Sequence, residues 1–307
     1  MSRCKKGWIL VPEEETGKIR YISKTEEEYP PQLLPLERMP AGLYLAGRFP
    51  DPCKKSVAIV GARACTAYGR SEAARFARDL AGAGVQIISG MAYGVDRCAH
   101  EGALEVQGET FAVLGCGADV CYPSENIRLY GEIAKKGGVI SEYLPGTPPA
   151  PWHFPVRNRI ISGLADLVLV IEARLRSGSL ITADYALEQG KAVWAVPGKN
   201  ADPLSQGCNR LIAQGAGIAL SPECILEELG ICTDNTGKAS RGRELPGGWK
   251  NRELSEKILI LIRTEEKTVQ ELRDATGAEV SDLSEALMRL CLYGYAREVM
   301  MGYYGAV

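Results

Sequence analysis

Between residues 57 and about 229 the chain repeats one pattern: a short, continuously apolar run, a turn rich in glycine or serine, and a longer amphipathic stretch. Apolar runs at 57–60, 85–88, 110–114, 139–141, 167–171 and 192–196 read as strands with both faces covered. The stretches at 68–81, 95–106, 126–135, about 158–164, 180–188 and 206–213 read as helices. Strands alternating with helices close by right-handed crossovers into an α/β fold with a doubly wound parallel sheet. All the strand-to-helix turns then emerge at one edge, where helix N-termini present free backbone N–H groups.

Three of those turns stand out. Gly61-Ala62-Arg63 follows Val57–Val60, Ser89-Gly90-Met91-Ala92-Tyr93-Gly94 follows Ile87-Ile88, and Ser177-Gly178-Ser179 follows Leu167-Val168-Leu169-Val170-Ile171. An edge of this kind favours anions, phosphate above all. Arg63, Arg157, Arg159, Arg174 and Arg176 lie in or beside the turns. An arginine at a strand mouth costs desolvation unless it meets an anion.

Composition narrows the partners. The formal net charge is −2, so nucleic acid would need a local basic patch. No apolar stretch approaches the roughly 20 residues that span a bilayer. The N-terminal apolar run is cut short by Glu13-Glu14-Glu15, too soon for a signal-peptide core, so cytoplasmic residence is expected, with no membrane partner. Ten scattered cysteines without a C-x-x-C pair read as reduced, mostly packed thiols. With only His100 and His153 beside them, no structural metal is expected.

The chain divides into four parts: an extended, proline-punctuated lead-in (1–55) lying against the first strands, the α/β domain (56–231), a polar linker (232–252) and a small domain (253–307). In the last, Leu254, Ile258, Leu261 and Ile262 share one helical face. A second helix spans 268–275 and is closed by Gly277. Leu283, Leu287 and Leu290 stripe a third, with Ser281 as its N-cap. A two-stranded wing around Gly302 completes a winged-helix-like pattern. From Leu254 onward nine Asp/Glu oppose six Lys/Arg, so the third helix, with Glu279, Asp282 and Glu285, would repel duplex phosphates.

The constellations differ in specificity. Gly61-Ala62-Arg63 is not a complete dinucleotide fingerprint, and no acidic residue ends the second strand to take a ribose. Ser177, Ser179 and Thr182 bring hydroxyls to a helix start, which suits one phosphate. Trp152, His153, Phe154, Arg157, Asn158 and Arg159 interleave aromatics with guanidinium groups, as single-strand binders do. The alternatives there are loop packing for the aromatics and an ion pair to Asp166 or Glu172 for one arginine. Asp96 reads as an N-cap. His100 reads as structural, since it lacks a nucleophile partner and no G-x-S-x-G elbow is present.

Taken jointly, several runs closely resemble the DprA/Smf family of DNA-processing proteins. They are Val57–Arg63, Ser89–Asp96 with Ala99-His100, Ala112–Gly117 with Tyr122-Pro123, and Ser141-Glu142-Tyr143 with Pro145-Gly146. Phe154–Leu164, Ser177–Thr182 and Ala195–Gly198 complete them. The resemblance covers roughly residues 29 to 229. It implies an extended Rossmann-like domain that binds single-stranded DNA, works as a homodimer, and loads the RecA recombinase onto incoming strands during natural transformation. It implies no catalytic activity and no cofactor. The positions it maps to the DNA site are Gly61, Arg63, Ser89, Gly90, Phe154, Arg157, Asn158, Arg159, Ser177, Gly178 and Ser179. The tail resembles a C-terminal domain that many members carry. Ala62 stands where the family often has serine, and the first 55 residues are too short for the helical N-terminal domain of some members.

A rival from another class is a nucleotide hydrolase such as a phosphoribohydrolase. That class would want a P-G-G-x-G-T loop with a downstream glutamate, where this chain has Ser177-Gly178-Ser179-Leu180-Ile181-Thr182. A transcription factor acting through the tail is disfavoured by the tail's acidity.

Overall fold

Strand alternation decides which residues face which layer. In a computed structural model, which describes residues 7–13, 17–231, 251–264, 266–293, 295–300 and 302–306, strand β4 (Ser56–Val60) is buried along its whole length. Its Val57 and Ile59 pack into one apolar layer, and Ala58 and Val60 into the opposite one. Fully burying a Val or Ile side chain is worth about 1.5–3 kcal/mol, so a one-residue slip would undo both layers at once.

The chain divides into two compact units, 1–233 and 234–307. In the first, β1 (Ile9–Leu10), β2 (Arg20–Ser23) and β3 (Gly42–Gly47) precede β4. Then come α1 (Ala67–Gly82), β5 (Gln86–Ser89), α2 (Val95–Glu105), β6 (Thr110–Leu114), β7 (Val120–Cys121), α3 (Ile127–Lys136) and β8 (Gly138–Ser141). The second half runs α4 (His153–Leu164), β9 (Leu167–Val170), α5 (Gly178–Glu188), β10 (Ala192–Ala195), α6 (Gln206–Ala213), β11 (Gly217–Ile218) and α7 (Pro222–Glu228). Nine strands form one sheet in the order β11-β10-β9-β4-β5-β6-β8-β3-β2. The pairs from β11 to β8 are parallel; β3 joins β8 and β2 joins β3 antiparallel.

The sheet is therefore mixed, not wholly parallel. The lead-in is not merely packed against the first strands: it supplies the antiparallel edge, and β3 pairs with β8, the last strand of the first half. Its anchors are buried Leu43, Leu45, Tyr29 and Leu33, with the Tyr29 hydroxyl donating to the Pro40 carbonyl at 2.9 Å. Residues Ile9 and Leu10 pair separately with Cys121 and Val120.

Helices α4, α5 and α6 cover one face through Ile160, Ile161, Leu164, Ala183, Ala186 and Leu211. Helices α1, α2 and α7 cover part of the other through Phe76, Leu80, Val95, Ala99, Ile225 and Leu226. From β4 the chain winds one way through β5, β6 and β8, then returns to place β9 on the other side of β4. That reversal opens a crevice beyond the carboxyl ends of β4 and β9, the switch point at which α/β sheets bind ligands.

The second unit contains α8 (Arg252–Thr264), β12 (Lys267–Thr268), α9 (Val269–Thr276), α10 (Val280–Leu292), β13 (Ala296–Met300) and β14 (Tyr303–Ala306). Ile258, Ile262, Leu272, Leu283, Leu287 and Leu290 form its core. Thr268 and Glu271 make a capping box at the start of α9, and Gly277 closes that helix at φ 69°. The N-cap of α10 is Glu279, not Ser281, which lies inside the first turn. The strand pair around Gly302 gains β12 as a third strand. The expected linker falls almost entirely on 232–250, outside the described residues.

Candidate nucleic-acid interface

A cleft of about 400 Å³ opens at the switch point. Gly61, Arg63 and Ala64 line it from the turn after β4, and Arg174, Arg176, Ser177, Gly178 and Ser179 from the turn after β9. Phe154, Arg157 and Asn158 line it from α4, with Asp96 and Thr182 contributing from α2 and α5. Eight of the eleven positions expected at a DNA site thus meet in one place.

The aromatic-arginine run is helical rather than a loop. Helix α4 begins at His153, five residues earlier than its apolar pattern suggests. Pro155 in the first turn is tolerated because the N–H it lacks would have no helical acceptor there. This puts Phe154, Arg157 and Asn158 on one rigid element. Gly115 makes room for the Phe154 ring, since a Cβ there would lie 2.9 Å from Cδ1. Tyr122 packs 5.4 Å from the ring centroid. The Arg63 and Arg157 guanidinium carbons lie 5.1 and 5.9 Å from it, within cation–π range.

Arg157 is buried, and burial pushes its pKa down, opposed chiefly by Asp96. Its Nη1 donates to the carbonyls of Gly90, at 3.1 Å, and Val113, and its Nε to Asn158 Oδ1 at 3.2 Å. Asn158 in turn donates to the Gly178 carbonyl at 3.2 Å, which fixes the start of α5. Arg157 and Asn158 are the floor of the cleft and tie the ends of β5 and β6 to the start of α5. Arg63, Arg174 and Arg176 are exposed at its rim and have no ion-pair partner among the described residues.

Three expected positions lie outside the lining. Ser89 is fully buried and its Oγ donates to the Ile59 carbonyl at 2.7 Å, tying β5 to β4. Gly90 lies beneath the floor, where a Cβ would sit 2.7 Å from both Arg157 Nη2 and Asp96 Oδ2. Arg159 forms a bidentate pair with Glu142 at 2.8 and 2.7 Å, rather than with Asp166 or Glu172, and also donates to the Arg38 and Val156 carbonyls. Asp166 instead accepts from Ser56.

The three turns do not offer three open helix N-termini. Glu172, buried at the end of β9, accepts from Thr66 N at 2.9 Å and Thr66 Oγ1 at 2.5 Å and so closes the start of α1. Asp96 does not cap α2; Gly94, at φ 76°, stands at that position. The Asp96 carboxylate accepts instead from the Gly90 and Ala92 amides, and burial raises its pKa against the opposing pull of Arg157. Of the helices that follow the three turns, α5 alone has no carboxylate at its start among the described residues: Ser177 caps it, accepting from Ser179 N at 3.4 Å, with Ser179 Oγ 2.7 Å away. The signal for Glu172 was present, an acid directly after an apolar strand, but its partner lies 106 positions away.

His100 is buried, with Nδ1 2.6 Å from Thr110 Oγ1. That hydroxyl donates to the Ile87 carbonyl, so Nδ1 carries the proton it offers to Thr110, and burial lowers the His100 pKa to about 3. Among the described residues no group of His, Cys, Asp and Glu could hold a metal. Burial likewise raises the Cys116 thiol to about 12.

Residues 20–230 match the family model for DNA recombination-mediator protein A. The chain belongs to that family. It is 46% identical over 209 residues to protein Smf of Escherichia coli, covering 68% of this chain and 56% of Smf. It is 42% identical over 214 residues to DNA processing protein DprA of Streptococcus pneumoniae, covering 70% and 76% of the two chains. A crystal structure of that DprA aligns with a TM-score of 0.64 at 40% identity, over 70% of this chain and 76% of the other. DprA from Helicobacter pylori, described as having a unique single-stranded DNA binding mode, aligns with a TM-score of 0.61 at 32% identity. That alignment covers 68% of this chain and 95% of the H. pylori chain. The family match lies on the unit that carries the large mixed sheet. No helix among the described residues is long and apolar enough to cross a membrane.

Proposed function

We propose that this member of the recombination-mediator family binds single-stranded DNA in the switch-point cleft and, as a cytoplasmic homodimer, presents the strand for loading of the RecA recombinase. One observation carries the DNA-binding part: three exposed arginines that form no ion pair among the described residues, Arg63, Arg174 and Arg176, stand around a helix N-terminus that no carboxylate of the described residues closes. Such a site suits a phosphodiester backbone. Phe154, half-buried beside Arg63 and Arg157, adds an aromatic ring for stacking an unpaired base, which a stiff duplex cannot supply. The binding mode described for the H. pylori relative supports the same ligand. The RecA and homodimer parts rest on family resemblance alone.

The order helix, strand, helix, helix, strand, strand in the second unit supports a winged-helix module. On its α10, Arg289 is paired with Glu285 at 3.0 Å, beside Asp282 and Glu279. That face favours a protein partner over a duplex.

A non-enzymatic role is part of the proposal. Asp96, the carboxylate lining the cleft, is buried and already accepts two backbone amides, so it is ill placed to act as a general base. Fluorescence polarisation with labelled oligo-dT and an equal-length duplex, across a salt series, tests the proposal. Preferential, salt-sensitive binding of oligo-dT is expected; equal affinity for both would refute it. Release of free base from nucleoside monophosphates would establish the hydrolase instead.

A further inference from the structure

We infer that Glu172 is a positioning residue for the DNA cleft: its carboxylate sets the Arg63-bearing turn against the turn that carries Arg174 and Arg176. This rests on the single-strand binding proposed above. Glu172 is 2% exposed and stands at the foot of the second turn, two residues before Arg174. Its two oxygens are taken by Thr66, at 2.5 and 2.9 Å, at the far end of the first turn. Thr66 Oγ1 donates to Glu172 and accepts from Gly69 N at 3.0 Å, so both partners of that hydroxyl are fixed. Gly69 is small by necessity, because a Cβ there would lie 2.3 Å from Glu172 Oε2.

The backbone beside Glu172 is held as firmly. Ala173 N donates to the Leu204 carbonyl at 2.7 Å, and Gly207 N donates to the Ala173 carbonyl at 2.8 Å. The first turn is braced at its other end by Val95 N, which donates to the Ala62 carbonyl at 3.2 Å. Glu172 is therefore a side-chain hydrogen-bonded link between the two cationic rims, added to the sheet pairing of β4 with β9. It also fills the N-terminus of α1 with the protein's own anion, leaving the N-terminus of α5 for a phosphate.

A carboxylate close to a polyanion site has a second, opposite effect. Taken as charge alone, removing it strengthens DNA binding. Taken as a positioning group, removing it weakens binding, because the amide of glutamine would turn N–H groups toward the Thr66 donors and the Arg63 turn would shift. The sign of the change separates the two.

The experiment measures polarisation of labelled oligo-dT, across salt, with the full chain and with Glu172→Gln, Arg63→Ala and the double variant. Circular dichroism confirms that each is folded. Glu172→Gln is expected to weaken binding about tenfold, the scale of a lost charged hydrogen-bond pair, and to flatten the salt slope. In the Arg63→Ala background it should add much less, since the residue it positions is already gone. Thr66→Ser, which keeps the hydroxyl, should bind as the parent does, and Thr66→Val should behave like Glu172→Gln. Unchanged or tighter binding by Glu172→Gln overturns the inference, as does an undiminished effect in the Arg63→Ala background. If Glu172→Gln does not fold, the Thr66 pair decides by the same criteria. Failure of the unaltered chain to bind oligo-dT at low salt would instead remove the proposed function, and this inference with it.

Discussion

Arg157 Nη1 donates to the Gly90 carbonyl at 3.1 Å, across 67 positions of sequence. With its further bonds to Val113 and Asn158, this buried guanidinium locks the ends of β5 and β6 to α4. Truncating it would leave those carbonyls and buried Asp96 without their cation. Arg157→Ala is expected to lose about 3–5 kcal/mol of stability in urea unfolding. A loss under 1 kcal/mol would place Arg157 in the ligand site rather than the scaffold.

Arg63 is the counterpart at the rim. Exposed and without an ion pair among the described residues, it supports little of the fold, so Arg63→Ala should change stability by no more than about 0.5 kcal/mol. Oligo-dT affinity should fall uniformly across sequences, and the slope of log affinity against log salt should shrink by about 0.7, one single-strand phosphate contact. An unaltered slope would count against a phosphate contact.

Arg159 separates scaffold from contact in the opposite direction. Its side chain and that of Glu142 are 11% and 13% exposed. Arg159→Ala should cost about 2–4 kcal/mol in chemical denaturation and leave the salt slope of DNA binding unchanged. A shallower slope with intact stability would return Arg159 to the DNA site.

Gly94 adopts φ 76°, and a Cβ there would fall 2.4 Å from the carbonyl oxygens of Ala62 and Arg63. Gly94→Ala combines backbone strain with a clash against the Arg63 turn. Thermal and urea unfolding should show a loss of about 2 kcal/mol or more, with weakened oligo-dT binding. Parent-like values for both would show that the turn does not depend on this contact.

His100 sets a pH dependence. Its pKa falls from 6.5 in the unfolded chain to about 3 in the fold. Above pH 6.5 both states are neutral and the shift costs nothing. As pH falls below 6.5 the unfolded state takes up a proton that the folded state refuses, so stability is lost progressively toward pH 3. Asp96, with its pKa raised by burial, works in the opposite sense above pH 3.8, and comparison with His100→Gln, which keeps Asp96, cancels its contribution across the window from 6.5 to about 5. There the parent should lose up to about 1.4 kcal/mol per pH unit relative to His100→Gln. Parallel stability curves for the two proteins would refute it.

The alternation of apolar runs and turns was enough to specify the α/β layers, because a strand covered on both faces must be continuously apolar. The turns after β4 and β9 were legible for the same reason: glycine and serine in those places have a local purpose. Eight of the expected residues, including Arg63, Phe154 and Ser177, do share the cleft, since a parallel sheet sends its carboxyl ends to one edge. The antiparallel edge formed by the lead-in was not legible. Short runs such as 42–47 carry no mark of which strand they will meet.

Which arginine faces the cleft was not written in the sequence either. Arg157 and Arg159 are two residues apart on one helix, so they point in different directions, one into the floor and one toward Glu142. Whether a helix N-terminus is open depends on acids brought from elsewhere, as Glu172 is brought to Thr66. Local pattern determined the elements and the edge where a ligand would meet them. Tertiary packing alone decided which charges were spent inside the protein and which were left for a partner, because charge pairing depends on distance in space, and separation along the chain does not fix that distance.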